Sequence, residues 1–131
     1  MQLNQLPFIG AALPGGLYAG VSFNPDDQQL YAVVLADAKP PELFSWADAQ
    51  AWAKGLEIDG LADFKVPDRL QSLLLFHTLH DQFEKAWHWT STQYSDADYA
   101  WCQYFNDGSQ YPNGKSYEGR VRAVRLIPIT A

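Results

Sequence analysis

The sequence predicts one α+β domain, and three observations carry that prediction. Two β-patterned runs come first, two helical patterns with start signals follow, and the last third reads as short aromatic-rich strands separated by turns. The chain has 131 residues, the span of one ordinary domain, and 47% of them are apolar. A chain of that length buries roughly 65–70% of its unfolded surface, enough to hold a core without metal or disulfide staples.

Residues 1–16 read as an irregular lead containing Pro7, Pro14 and the Gly15-Gly16 pair. Leu17–Phe23 and Leu30–Leu35 read as strands, and Asn24-Pro25-Asp26-Asp27 between them is turn chemistry, so residues 1–40 form a lead and a β-hairpin closed by Pro40-Pro41. Ser45 is placed to cap the next helix, with Asp48 three residues on as an approximate capping box. Trp46, Ala49, Trp52 and Ala53 give that helix its apolar face, and Gly55 is expected to end it in the left-handed conformation. After a loop over 56–66, Pro67-Asp68 opens a second helix that ends near Asp81 or Phe83. Its expected buried face is Leu70, Leu73, Leu74 and His77.

From Trp87 the texture becomes β. Trp87–Thr92 and Tyr99–Phe105 read as strands, Asn106-Asp107-Gly108 as a hairpin turn and Tyr111–Gly114 as a second turn. Arg120–Ile127 reads as the last strand. Val121 and Val124 break strict alternation there, and a β-bulge near Ala123 would return both to the core. In Tyr99–Phe105, alternation puts Tyr99, Trp101, Gln103 and Phe105 on one face and Ala100, Cys102 and Tyr104 on the other. Trp89, Trp101 and Phe105 are expected in the core.

The net charge is −6, with 15 acidic and nine basic side chains. A nucleic-acid binder usually shows a basic patch, and the only basic concentration is Arg120, Arg122 and Arg125, so no nucleic-acid partner is expected. These arginines read as structural, with Arg122 placed to pair with Asp96, Asp98 or Asp107 across a sheet. The single cysteine, Cys102, permits no internal disulfide and reads as a buried small hydrophobe. No signal peptide or membrane-inserting segment is readable. The expected place of synthesis is a bacterial cytoplasm, with a virion as one destination.

The stretch 44–127 resembles the bacterial and phage family called DUF1566, or the Lcl C-terminal domain. The runs that carry the resemblance are Phe64–Pro67 before a helix, Trp89–Thr92, Tyr99–Trp101, Phe105–Gly108 and Arg120–Arg125. The lead Pro14–Gly20 resembles that of short phage and prophage members. Two departures fall at the loop-to-helix junction: Phe64 stands where the family usually has Trp, and Gln71 where an acidic residue is common. The resemblance implies a C-type-lectin-like fold, with two helices on a small twisted antiparallel sheet that supports long loops between the C-terminal strands. It implies no fixed activity, because function belongs to the site rather than the fold.

No enzyme is expected. Formylglycine-generating enzymes share the fold but need a cysteine pair, and no nucleophile elbow, Walker loop or dinucleotide fingerprint is present. Phe105-Asn106-Asp107 and Tyr111-Pro112-Asn113 look like lectin calcium motifs in reversed order and without the Glu, so turn chemistry is the reading taken. His77, His80 and Asp81 lie at helical spacing without a fourth ligand. Neither a metal nor a cofactor is expected.

The residues expected to bind a partner are Tyr94, Tyr99, Tyr104, Tyr111, Asn113 and Tyr117. They sit among Ser, Asp, Asn and Gly, and Tyr with Ser, Gly and Asn is the mixture of a paratope. The leading expectation is a non-catalytic binding module of phage or prophage origin, tail-associated and recognising a host-surface protein or glycan. One alternative is an intracellular phage factor that sequesters a small ligand in an aromatic pocket beside the N-terminal hairpin, or that inhibits a host protein. A second is a variable protein of a diversity-generating retroelement, and a third is a virion subunit that forms a homo-oligomer through the first hairpin.

Overall fold

The computed structural model of the chain describes residues 1–130 and shows an α+β fold. In chain order, the strands are β1 (Ala12–Leu13), β2 (Gly16–Asn24) and β3 (Gln29–Ala36). Helices α1 (Trp46–Lys54) and α2 (Arg69–Leu79) follow, then β4 (Trp87–Gln93), β5 (Tyr99–Tyr104), β6 (Gln110–Gly114) and β7 (Val124–Pro128). Single turns of 3-10 helix lie at Leu3–Gln5 and His80–Gln82. The strands form two antiparallel sheets rather than the single small sheet expected. One is a four-strand half-barrel in the order β1-β2-β3-β7, and the other has the order β4-β5-β6.

The hairpin forms where turn chemistry placed it. Tyr18, Ala19 and the run Ala32–Ala36 are buried, and β7 returns beside β3 with Leu35 opposite Val124. The ends of the chain meet there, because the Thr130 amide donates to the Met1 carbonyl at 2.8 Å.

Both helix starts are set by their caps. Ser45 Oγ accepts the Asp48 amide at 3.4 Å, without the reciprocal half of a box. Asp68 and Gln71 make a complete one: Asp68 Oδ1 accepts the Gln71 amide at 2.8 Å, and Gln71 Oε1 accepts the Asp68 amide at 3.0 Å. Gln71, one of the two departures from the pattern of the family that the chain resembles, thus satisfies one helix-end donor, the Asp68 amide, and has its own amide satisfied by Asp68. Phe64, the other, is buried in the core with Val66 and Trp89. Gly55 ends α1 at φ −88°, not in the left-handed region.

Three further sequence expectations are corrected by the fold. The buried face of α2 is Gln71, Ser72, Leu75 and Leu79, whereas Leu70, Leu73 and His77 are exposed and Leu74 half-buried. Tyr111–Gly114 is not a turn but the body of β6; this is an edge strand, where Pro112 removes no needed ladder donor. Arg120–Ala123 is not strand: β7 starts at Val124, so Val121 and Val124 are both buried without a bulge.

The second sheet lies between two packing surfaces. Ala100 and Cys102 face a cluster that includes Ala49 and Ala53 of α1, Trp89 and Val121. The opposite face meets α2 through polar groups. Gln103 is fully buried; its Nε2 donates to the Ser72 carbonyl at 2.8 Å and its Oε1 accepts Gln110 Nε2 at 2.7 Å. Gln110 in turn accepts from Arg69 Nε at 3.0 Å. Replacing Gln103 by Leu would remove the second partner of the Ser72 carbonyl and leave Gln110 Nε2 with only its bond to the Arg69 carbonyl. The expected loss is about 1–3 kcal/mol in chemical denaturation. A Gln103→Leu protein as stable as the parent would show that this network contributes nothing.

Candidate functional site

The region that positions the predicted contact residues is built from the β4–β5 connection, the exposed end of β5, and the segment after β6. Gln93 organises the connection: its amide donates to the carbonyls of Tyr94, Asp96 and Tyr99 at 3.0, 3.2 and 2.8 Å. Asp96 Oδ1 accepts the Asp98 amide at 3.0 Å, and the Asp98 carbonyl accepts the Lys115 amide at 2.9 Å. The Lys115 ammonium bonds Gln93 Oε1 and lies 4.5 Å from the centroid of the Trp46 ring. One side-chain amide therefore closes a loop whose own polar residues would otherwise leave it loose.

Strand pairing divides the six predicted residues between the two faces of the sheet. Tyr99 pairs with Gly114, and the Tyr117 ring packs over Gly114, about 3.7 Å from where a Cβ would sit. Tyr94 stands edge-on to Tyr99 and Trp101, with ring centroids 6.5 and 5.2 Å away. Tyr99 and Tyr117 are 42% and 61% exposed, so their rings present free surface, and with Asp98, Gly114, Lys115 and Ser116 they line a shallow depression of ≈ 450 Å³.

Tyr104, Tyr111 and Asn113 lie on the other face. Tyr111 pairs with Cys102 and Asn113 with Ala100, so both follow the core-facing side of β5. Tyr111 packs on the apolar cluster there, and its ring centroid is 5.1 Å from that of Tyr104. Burial, then the Tyr104 hydroxyl and the Cys102 thiol, push the Tyr111 phenol well up. Asn113 Oδ1 accepts the Gly114 amide. The structure thus assembles Tyr94, Tyr99 and Tyr117, and separates them from Tyr104, Tyr111 and Asn113.

Trp101 is not core like Trp89 and Phe105. It is half-buried beneath the Arg69 guanidinium, whose central carbon is 3.5 Å from the ring centroid. Sequence reasoning missed Arg69, Asp98 and Lys115. Asp98 and Lys115 are joined only because β6 exists, and the Tyr-Pro-Asn-Gly run masked that strand.

Other expectations resolve locally. Arg122 pairs with none of Asp96, Asp98 or Asp107. It is buried and donates to the carbonyls of Ala36, Ala38 and Gln82, while Arg125 pairs with Asp63 at 2.9 Å. Cys102 is buried, and its thiol is pushed up to about 11 by burial and stays protonated. Asp107 Oδ1 accepts the Ser109 amide and hydroxyl, which makes Asn106–Gly108 a self-satisfied turn. Gly108 is at φ +81° against Phe76, whose ring would lie 2.7 Å from an added Cβ. His80 Nδ1 is 3.1 Å from the Phe76 carbonyl. Among the described residues no three His, Cys, Asp or Glu side chains converge to hold a metal ion, and no helix is long and apolar enough to cross a membrane.

The pocket expected beside the N-terminal hairpin is an open groove of ≈ 250 Å³, lined by Val21, Phe23, Leu70, Leu73, Leu74 and His77 with Ser22. Its lining is aliphatic apart from the Phe23 ring, the His77 imidazole and Ser22. Neither a protein-family model nor a curated protein matches the chain.

Proposed function

We propose that the chain is a non-catalytic binding module with a C-type-lectin-like fold, of phage or prophage origin, that recognises a host-surface protein or glycan. The contact surface of this reading is Tyr94, Tyr99 and Tyr117 with Asp98 and Lys115. The observation that carries it is the exposure of two tyrosine rings on a loop frame already fixed by Gln93. Tyrosine supplies large contact area at low entropic cost, and a frame ordered before binding spares the ordering cost at contact. The two-sheet, two-helix architecture and the motif resemblance over 44–127 support the fold assignment.

The geometry also changes which substitutions test the reading. Tyr111→Ala would open the apolar cluster under β6, so it confounds binding with stability. Tyr99→Ala combined with Tyr117→Ala removes only exposed rings. Labelled protein is applied to bacterial cells and to a glycan array, and retention is compared with that of the double variant. Retention about tenfold weaker, with an unchanged unfolding midpoint, is expected. Equal retention of a folded double variant would remove the tyrosine face as the contact surface.

A further inference from the structure

A second concave site lies on residues the tyrosine face does not use. Lys39, Pro40, Pro41, Glu84, His88, Arg120, Val121 and Arg122 line a cavity of ≈ 310 Å³. Three of these side chains are cations and one is a carboxylate, so the lining is net positive in a chain of net charge −6. Among the described residues the ion pair is Arg125 with Asp63, so Lys39, Arg120 and Arg122 reach no carboxylate at bridging distance.

The arrangement is held from behind. The Arg122 guanidinium is fixed by three backbone carbonyls and sits 4.9 Å from the Phe83 ring centroid. The carbonyls take three of its five N–H groups, and Asp37, the carboxylate that acts on its charge, lies beyond bridging distance. A buried guanidinium without a carboxylate is costly unless another anion completes it. His88 is buried against Phe83 and Phe105, whose rings stack at 3.9 Å. Its Nδ1 lies 3.1 Å from the Ala86 carbonyl, which assigns the proton to Nδ1 and leaves Nε2 as a lone-pair acceptor. Arg120 pairs with His88 through a parallel bridge, so backbone geometry brings the two side chains to one place.

We propose that this cavity binds the phosphate group of a small phosphorylated molecule, with Arg120, Arg122 and Lys39 as the cationic contacts. Arginine forks and a lysine ammonium suit phosphate oxygens. The Nε2 lone pair of His88 can accept the P–OH of a singly protonated phosphate, a proton that a carboxylate does not carry at neutral pH. The cavity is larger than a phosphate group, and Pro40, Pro41 and Val121 give the organic remainder an apolar wall.

The test titrates inorganic pyrophosphate, inorganic phosphate and succinate into the full chain at low salt. It reads heat of binding and the His88 Cε1–H proton resonance. Saturable binding of pyrophosphate that moves the His88 resonance is expected, with succinate much weaker. Lys39→Ala, at an exposed position, and Arg120→Ala, at a half-buried one, should each weaken pyrophosphate about tenfold, and Arg120→Glu should abolish binding. Undiminished affinity in folded Arg120→Glu, or no saturable signal in the parent chain, overturns the site. Succinate binding as tightly as pyrophosphate overturns the phosphate assignment. Arg122 is left unchanged because its carbonyl contacts hold three segments together.

Discussion

Trp89→Ala is expected to cost about 4 kcal/mol and to leave the protein near the edge of folding. The residue is 1% exposed, the largest fully buried side chain, so the whole indole volume becomes cavity. Truncating a buried Trp costs about 3–5 kcal/mol, against a total stability of about 5–15 kcal/mol. Packing is only part of the loss. The indole Nε1 donates to the Phe44 carbonyl at 2.8 Å, and Phe44 exchanges two backbone hydrogen bonds with Gly119. Gly119 has no room for a side chain, since an added Cβ would lie 2.2 Å from the Trp87 ring, and Trp87 stands edge-on to Trp89 at 5.0 Å. One indole thus ties β4 to the segment before α1 and, through it, to the approach to β7. Urea denaturation of the parent, Trp89→Ala and Trp89→Phe separates the contributions. Phe keeps most of the volume and loses the hydrogen bond, for an expected cost of about 1–2 kcal/mol. A loss below about 1 kcal/mol in Trp89→Ala would mean that this core relaxes around the missing ring.

What the sequence shows clearly in this molecule is local chemistry with a single reading. Asn24-Pro25-Asp26-Asp27 between alternating runs makes the β2–β3 hairpin, and the side chains of Ser45 and Asp68 start the two helices. The buried face of α2 was not legible, because it is half polar. Gln71 is buried as a cap and Ser72 as the carbonyl that receives Gln103, while Leu70 and Leu73 remain outside. Hydrophobic periodicity assigns leucines to the core and cannot see a core position held by an amide. Strand β6 was hidden for a related reason. Pro112 and Asn113-Gly114 carry turn propensity, yet on an edge strand the missing proline donor costs nothing.

The candidate site was legible by residue type but not by geometry. Alternation along β5 correctly separates Tyr99 from Tyr104. Only pairing with β6 puts Tyr111 and Asn113 on the core side and brings Gly114 beneath Tyr117. The arginines show the opposite limit. Arg120, Arg122 and Arg125 look alike in sequence, two or three positions apart. One contributes to a basic cavity, one is buried on carbonyls, and one makes an ion pair with Asp63. Their separation follows from the start of β7 at Val124, which leaves the preceding residues outside strand alternation.

That same cavity makes stability depend on pH, and His88 sets the window. Burial holds the imidazole well below its usual 6.5, at about 4, and the charges of Arg122, Arg120 and Lys39 push in the same direction against the opposing Ala86 carbonyl. Glu84 is the one carboxylate lining the cavity. Between pH 6.5 and about 4 the unfolded chain takes up a proton that the folded chain refuses, so the unfolded state gains as pH falls. The His88 contribution is therefore complete above pH 6.5 and declines by about 3 kcal/mol in total as pH drops to about 4, below which it adds nothing further. Asp63, held below its usual range by Arg125, loses its contribution only at lower pH, so the two windows are separable. Denaturation midpoints across this range should fall steeply for the parent and much less for His88→Phe, which keeps an aromatic ring at this position without a titrating group. Parallel curves for the two proteins would show that His88 protonates as readily in the folded chain as in the unfolded one. Burial among Phe83, Phe105 and three cations would then impose no penalty on its charge.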